Sequence, residues 1–187
     1  VSERRETRIS DSQILGLTSN AQQDYESAYY HLIEFVPEFL TLNAQYAVEA
    51  VVTATETVVA RKHPLNSSNQ NVELIIGSRA VRLREDWSHI WAHDPDEANY
   101  NDCNALVKKL FDYLRRGSAA TVTPVVERII EIGSLAIFWS RLFMVASERC
   151  DDVLDLVLTV AMQESFLTLL DTQKDAIDLV AACYDRL

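Results

Sequence analysis

Glycine and proline are scarce in this chain, with 4 of each in 187 residues. So few turn-formers exclude a fold of many short strands and favour long helices. Cysteine is rarer still: Cys103, Cys150 and Cys183 stand far apart and form no CxxC pair. That spacing excludes a zinc ribbon and a disulfide framework. Free cysteines near apolar helical stripes imply a reducing compartment, so a cytoplasmic location is expected. Basic residues are outnumbered, 17 against 28 acidic ones, giving a net charge of −11. Phosphate backbones and anionic membranes both demand a basic footprint, so neither nucleic acid nor membrane is an expected partner. Of the dense basic pairs, Arg4-Arg5, Lys108-Lys109 and Arg115-Arg116, the last two read as a solvated helix face, with Arg115-Arg116 complementing the helix dipole. The longest apolar run, 135–145, is broken by Ser140-Arg141 and is too short to span a bilayer. No GxxxxGK[ST], GxGxxG or GxSxG motif occurs. The chain opens on Val1 with a charged, polar stretch unlike a signal peptide, and the expectation is an excised segment of a longer protein.

What is present is helical periodicity in a chain of globular composition, 48% apolar and 24% charged. A short entry helix is expected over 10–17, capped by Ser10 or Asp11. Asn20, with Gln23 three residues on, has capping-box spacing, and Tyr25, Ala28, Tyr29, Leu32 and Val36 follow at helical intervals. Pro37 should end or kink that helix, with Phe39, Leu40 and Leu42 adding a further turn. From Asn43 a second helix turns Val48, Val51, Val52, Thr55 and Val59 inward and Glu49, Thr53 and Glu56 outward. A helix ending at Gly117 as a left-handed cap, a helix opening at Thr123-Pro124, and a buried central helix over 135–146 follow. One helix or two short ones occupy 151–170. Thr172 with Asp175 resembles a capping box for the last helix, with Ile177, Val180, Ala181 and Tyr184 inward.

The one interruption is 71–84. With Gly77-Ser78 as a two-residue turn, Ile76 pairs with Arg79, Leu74 with Val81 and Val72 with Leu83. The apolar residues then share one face, and Glu73 stands opposite Arg82 on the other. Glycine at the first turn position suits a type II′ hairpin, and matched apolar and charge pairing in one register is rare by chance. The competing reading is a helix over 72–84. The expected fold is therefore all-α, a single helical domain over 1–187 with a hairpin-and-loop insertion at 65–97. Its antiparallel pairs (20–42 with 43–61, 101–116 with 124–148, 151–170 with 172–187) stack as a HEAT- or armadillo-like solenoid, or pack as a compact bundle.

Function is expected in that insertion, because binding residues concentrate on loops carried by rigid scaffolds. Trp87, His89, Trp91, His93 and Asp94 are the predicted contact residues for a protein partner or for other domains of the same chain. The alternative is a small metal-dependent enzyme. His89 and His93 are four apart, and with Asp94, Asp96 and Glu97 they carry ligand types for zinc or manganese. Against it, the HExxH glutamate is missing and Pro95 limits any helix there. Glu49 and Glu56 lack the ExxH companion of a di-iron site. No cofactor and no catalytic residue is expected within this chain.

The stretch Ile14-Leu15-Gly16-Leu17-Thr18-Ser19-Asn20 leading to Gln23-Asp24-Tyr25, and the hairpin passing into Asp86-Trp87-Ser88 and Trp91, resemble helical segments of large bacterial STAND-type ATP-binding proteins. These are signal-transducing NTPases with long helical arrays, several of them acting in antiviral defence. The resemblance implies a sensor or scaffold role, with ATP hydrolysis performed elsewhere. The nucleotide-binding motif of that class is absent here, so no functional residue is carried over.

Overall fold

The computed structural model describes residues 7–9, 12–14, 20–64, 71–95, 103–149 and 155–184. It divides into two compact units, 1–35 and 36–187. The fold is mostly helical, and among the described residues no helix is long and apolar enough to cross a membrane.

In the first unit β1 (Thr7–Ile9) pairs antiparallel with β2 (Ser12–Ile14), Thr7 opposite Ile14 and Ile9 opposite Ser12. This corrects the expected entry helix over 10–17. The segment is too short to nucleate a helix well, whereas a local antiparallel pair needs no nucleus of that kind. Ser10 and Asp11, the expected caps, and residues 15–19 of the resembling stretch lie outside the described residues. Helix α1 (Asn20–Leu42) follows and is continuous through Pro37. Proline removes one backbone donor here without ending the helix, which runs on for the further turn that Phe39, Leu40 and Leu42 supply.

In the second unit α2 (Ala44–Lys62) opens as expected at Asn43, whose side chain accepts from the Tyr46 N–H at 3.2 Å. Val48, Val51, Val52, Thr55 and Val59 are all buried. Strands β3 (Asn71–Ile76) and β4 (Arg79–Arg84) pair in the expected register, from Ile76 opposite Arg79 to Val72 opposite Leu83. Gly77 sits at φ +63, a backbone conformation that a side chain would strain. Glu73 does stand opposite Arg82, but the guanidinium reaches the Glu131 carbonyl at 3.4 Å.

The hairpin docks by its β4 strand. Arg84 bridges Leu135 in parallel, with its N–H donating to Ser134 at 2.7 Å. Trp139, fully buried, donates its indole N–H to the Arg82 carbonyl at 2.8 Å. Arg79 pairs with Glu127 at 2.9 Å.

Helix α3 is a single turn (Ser88–Trp91), and α4 (Asn104–Arg116) ends before Gly117. Gly117 is extended (φ −71, ψ 152), which corrects the expected left-handed cap. Its glycine is required for space: a Cβ there would lie 2.5 Å from a Val122 methyl. The carbonyls of Leu114 and Gly117 are taken instead by Arg149 at 2.6 and 2.9 Å. Helix α5 (Ala119–Ile132) begins well before Thr123-Pro124, another correction, and holds Pro124 inside it. One lost hydrogen bond is offset by the apolar face that starts at the buried Val122 and continues through Val125, Val126, Ile129 and Ile130.

Helix α6 (Ala136–Arg149) is the buried centre, apolar nearly all round as expected. It packs against α4, α3 and β4, and against α7 (Asp155–Ala161) and α9 (Gln173–Ala182). Between the last two lies α8 (Glu164–Thr168), so 155–170 contains two short helices. Trp139, Phe143 and Phe166 form an edge-to-face cluster, with Phe166 centred 5.2 Å from Trp139 and 5.5 Å from Phe143. The tightest helix contacts are not all between chain neighbours: α6 lies on α9, and α2 on α5.

The last helix departs most from expectation. Ala176, Leu179 and Cys183 are buried, while Ile177, Ala181 and Tyr184 are exposed and Val180 is half-buried. The inward stripe is therefore shifted from the predicted one. Asp175 fixes the rotation by accepting from the Ser140 hydroxyl of α6, and small Ala176 allows close approach. The capping box does not form, because the Thr172 hydroxyl donates to the Phe166 carbonyl at 2.8 Å.

Candidate functional site

The segment 85–95 runs from the end of β4 across the surface of α6, and one residue in it sets its shape. Trp87 is left-handed, φ 60 and ψ 24, and is the only described non-glycine residue with positive φ. A large side chain resists that conformation by about 1–2 kcal/mol, so surrounding contacts must impose it.

Those contacts converge on Asp171, in the turn between α8 and α9. Its carboxylate, fully buried, accepts the N–H of Asp86 and of Trp87 on Oδ2, each at 3.0 Å. Oδ1 accepts the N–H of His89 at 3.0 Å and meets the His89 ring Nδ1 at 2.5 Å. Three backbone donors on one carboxylate make a charge-assisted knot. Asp86 supplies a second one: Oδ1 accepts from Ser88 N–H and Oδ2 from Ile137 N–H in the first turn of α6, both at 3.0 Å. Burial pushes the Asp86 carboxyl up to about 6; the Ile137 donor opposes this, and the neighbouring Asp171 charge adds to it.

The five predicted contact residues divide by role. Trp91 is tied inward: its indole N–H donates to the Asp86 carbonyl at 2.7 Å, and its ring stacks on His63 at 4.7 Å, 11° from parallel. It anchors the loop to the end of α2. His89 is half-buried in the knot. Trp87 stays 42% exposed, its ring 5.7 Å from that of His89, and the neighbouring Ile90 is 60% exposed. His93 and Asp94 are exposed, with His93 Nδ1 3.2 Å from the Ile90 carbonyl.

The histidine pair does not share a helix face. Helix α3 ends at Trp91, so His93 lies beyond it, and His89 directs Nδ1 to Asp171. Asp96 and Glu97 lie outside the described residues. Among the described residues no group of three or more His, Cys, Asp or Glu side chains is gathered to hold a metal. Glu49 and Glu56 face this chain itself, Glu49 on Arg128 and Glu56 on the Ser134 hydroxyl at 2.9 Å.

Sequence reasoning missed Asp171. It sits between Leu170 and Thr172 at a helix boundary, where an acidic residue is commonplace, and nothing local names a partner 82 to 85 positions away. The signal that existed was weaker: Asp86 lies in the short link between a strand and a single-turn helix, and a buried acid there needs donors. Comparison with family models, with curated proteins and with solved structures found no match to this chain.

Proposed function

We propose that this chain is a non-catalytic helical scaffold or sensor module that recognises a protein partner through the loop 85–95. The observation that carries the reading is Trp87: a large aromatic, 42% exposed, held in an unfavourable left-handed backbone by a buried carboxylate. Aromatic anchors on pre-formed supports are the usual centres of protein interfaces, because little side-chain freedom remains to be lost on binding. Exposed Ile90 extends the apolar contact, with Trp91 as internal support. The wider role implied by the resemblance, a HEAT-like array in a STAND-type ATP-binding protein of antiviral defence, belongs to the same proposal and rests on the stretches quoted for it.

Site-specific photo-crosslinking tests it. A benzoylphenylalanine placed at position 87 should give one discrete protein adduct in cells, and the same probe at exposed Thr53 on α2 should not. Ile90→Asp should remove the adduct without loss of helicity. Equal labelling from both positions, or none from 87, rejects the recognition surface.

A further inference from the structure

Behind the knot lies a cavity of about 410 Å³, walled by the loop, α6 and the first turn of α9. Its lining includes Ser88, His89, Ser140, Arg141, Lys174 and Asp175. A volume of that size suits a small molecule, and the wall carries the cations Arg141 and Lys174 beside the carboxylates Asp171 and Asp175.

Arg141 is the central one. It is half-buried, and among the described residues it forms no ion pair. One Nη donates to the Ala92 carbonyl; the other donates to Met144 sulfur at 3.4 Å and lies 3.5 Å from Ser140 Oγ. Burial lowers its pKa, and Asp175, Asp94 and Asp86 act on it only at a distance. No described carboxylate is within ion-pair distance of this half-buried cation, and a planar guanidinium fits an oxyanion. Two further features face the same space. Ser88 is 3% exposed and lines the cavity, with its hydroxyl beside the Asp86 carboxylate. The first turn of α9 has no side-chain cap, since Thr172 bonds elsewhere, which leaves the positive end of a ten-residue helix at this wall. Lys174 is already paired with Asp178 at 2.7 Å, and Asp171 is saturated by four donors. With Nδ1–H donated to Asp171, the neutral His89 ring leaves Nε2 as an acceptor, which has no proton to give an oxyanion.

We infer that this cavity binds a small oxyanion, a carboxylate or a phosphate group, with Arg141 as its charge partner and Ser88 on the same wall. Asp175, engaged by Ser140, is the acid that limits affinity from the same wall. The site is independent of whether Trp87 meets a protein.

The test is thermal unfolding and calorimetry of the full chain with sodium phosphate and, separately, sodium malonate, against sodium chloride at equal ionic strength. A saturable rise in Tm with phosphate assigns a phosphate ligand, and one with malonate assigns a carboxylate. Arg141→Gln should abolish that rise, measured against the variant's own ligand-free Tm. Asp175→Asn should tighten binding, and Arg141→Lys should weaken it by about tenfold, the scale of one charge-assisted hydrogen bond. No saturable rise with either anion overturns the site, as does a rise that survives Arg141→Gln. If Arg141→Gln does not fold, unchanged affinity in both Arg141→Lys and Asp175→Asn overturns it instead.

Discussion

The hairpin Asn71–Arg84 and the loop that follows it adjoin in the chain, yet different ranges of interaction define them. The hairpin register is set within its own fourteen residues: a glycine able to take φ +63 and an apolar face that repeats every second residue. The loop has internal bonds, Ser88 N–H to Asp86 Oδ1 and the Trp91 indole to the Asp86 carbonyl, but it also depends on a distant group. Its backbone N–H groups are satisfied by a carboxylate that the chain supplies 82 to 85 positions later. The hairpin can therefore form locally, while the loop takes its shape only once the α8–α9 turn has docked on α6. That contrast teaches why the loop is the place for strained geometry: only a long-range partner holds Trp87 left-handed.

The sharpest way to break the comparison is Asp171→Ala. It leaves three backbone donors of the loop without their acceptor and should destabilise the protein by about 3–5 kcal/mol in urea unfolding. Glu73→Ala, on the exposed face of the hairpin, should change stability by less than about 0.5 kcal/mol. Similar costs for the two would mean that the loop does not depend on its distant partner.

Second in size is the effect of pH through Asp86. Its folded-state pKa of about 6 lies above the ordinary carboxyl value of 3.8, so the native state holds this proton more tightly than the unfolded chain. Stability from this group is fully present below about pH 4 and is lost as pH rises through 6, by about 3 kcal/mol at most. Asp86→Asn should flatten that part of the stability–pH curve measured from pH 4 to 7. An undiminished slope in the variant would place the titration elsewhere.

How far the sequence could be read follows the same division. Asn43 as a cap, the α2 stripe, the hairpin register and the buried centre of α6 were all legible, because each is decided by residues within a few positions of one another. Misreadings came where a distant group competed with a local rule. Thr172 and Asp175 have capping-box spacing, but Phe166 and Ser140 draw their side chains away, and the inward face of α9 moves with them. Thr123-Pro124 has the form of a helix start, yet burial of Val122 extends the helix past it. At the site, Trp87 and Trp91 were singled out together, and only the contacts of Asp86 and His63 separate the support from the exposed anchor.

The smallest expected effect is the most telling about Trp87. Trp87→Gly removes a side chain that is 42% exposed and releases a left-handed backbone from its steric penalty. The two effects oppose each other: lost contact destabilises, relieved strain stabilises by about 1–2 kcal/mol, and glycine adds unfolded-state entropy worth somewhat less. The net change in unfolding free energy should stay within about 1 kcal/mol of zero, while affinity for the partner identified by crosslinking is lost. A residue placed for packing would behave otherwise, since truncating a core tryptophan costs about 3–5 kcal/mol. A cost of that size would make Trp87 part of the core, and its strain would then serve the fold and not recognition.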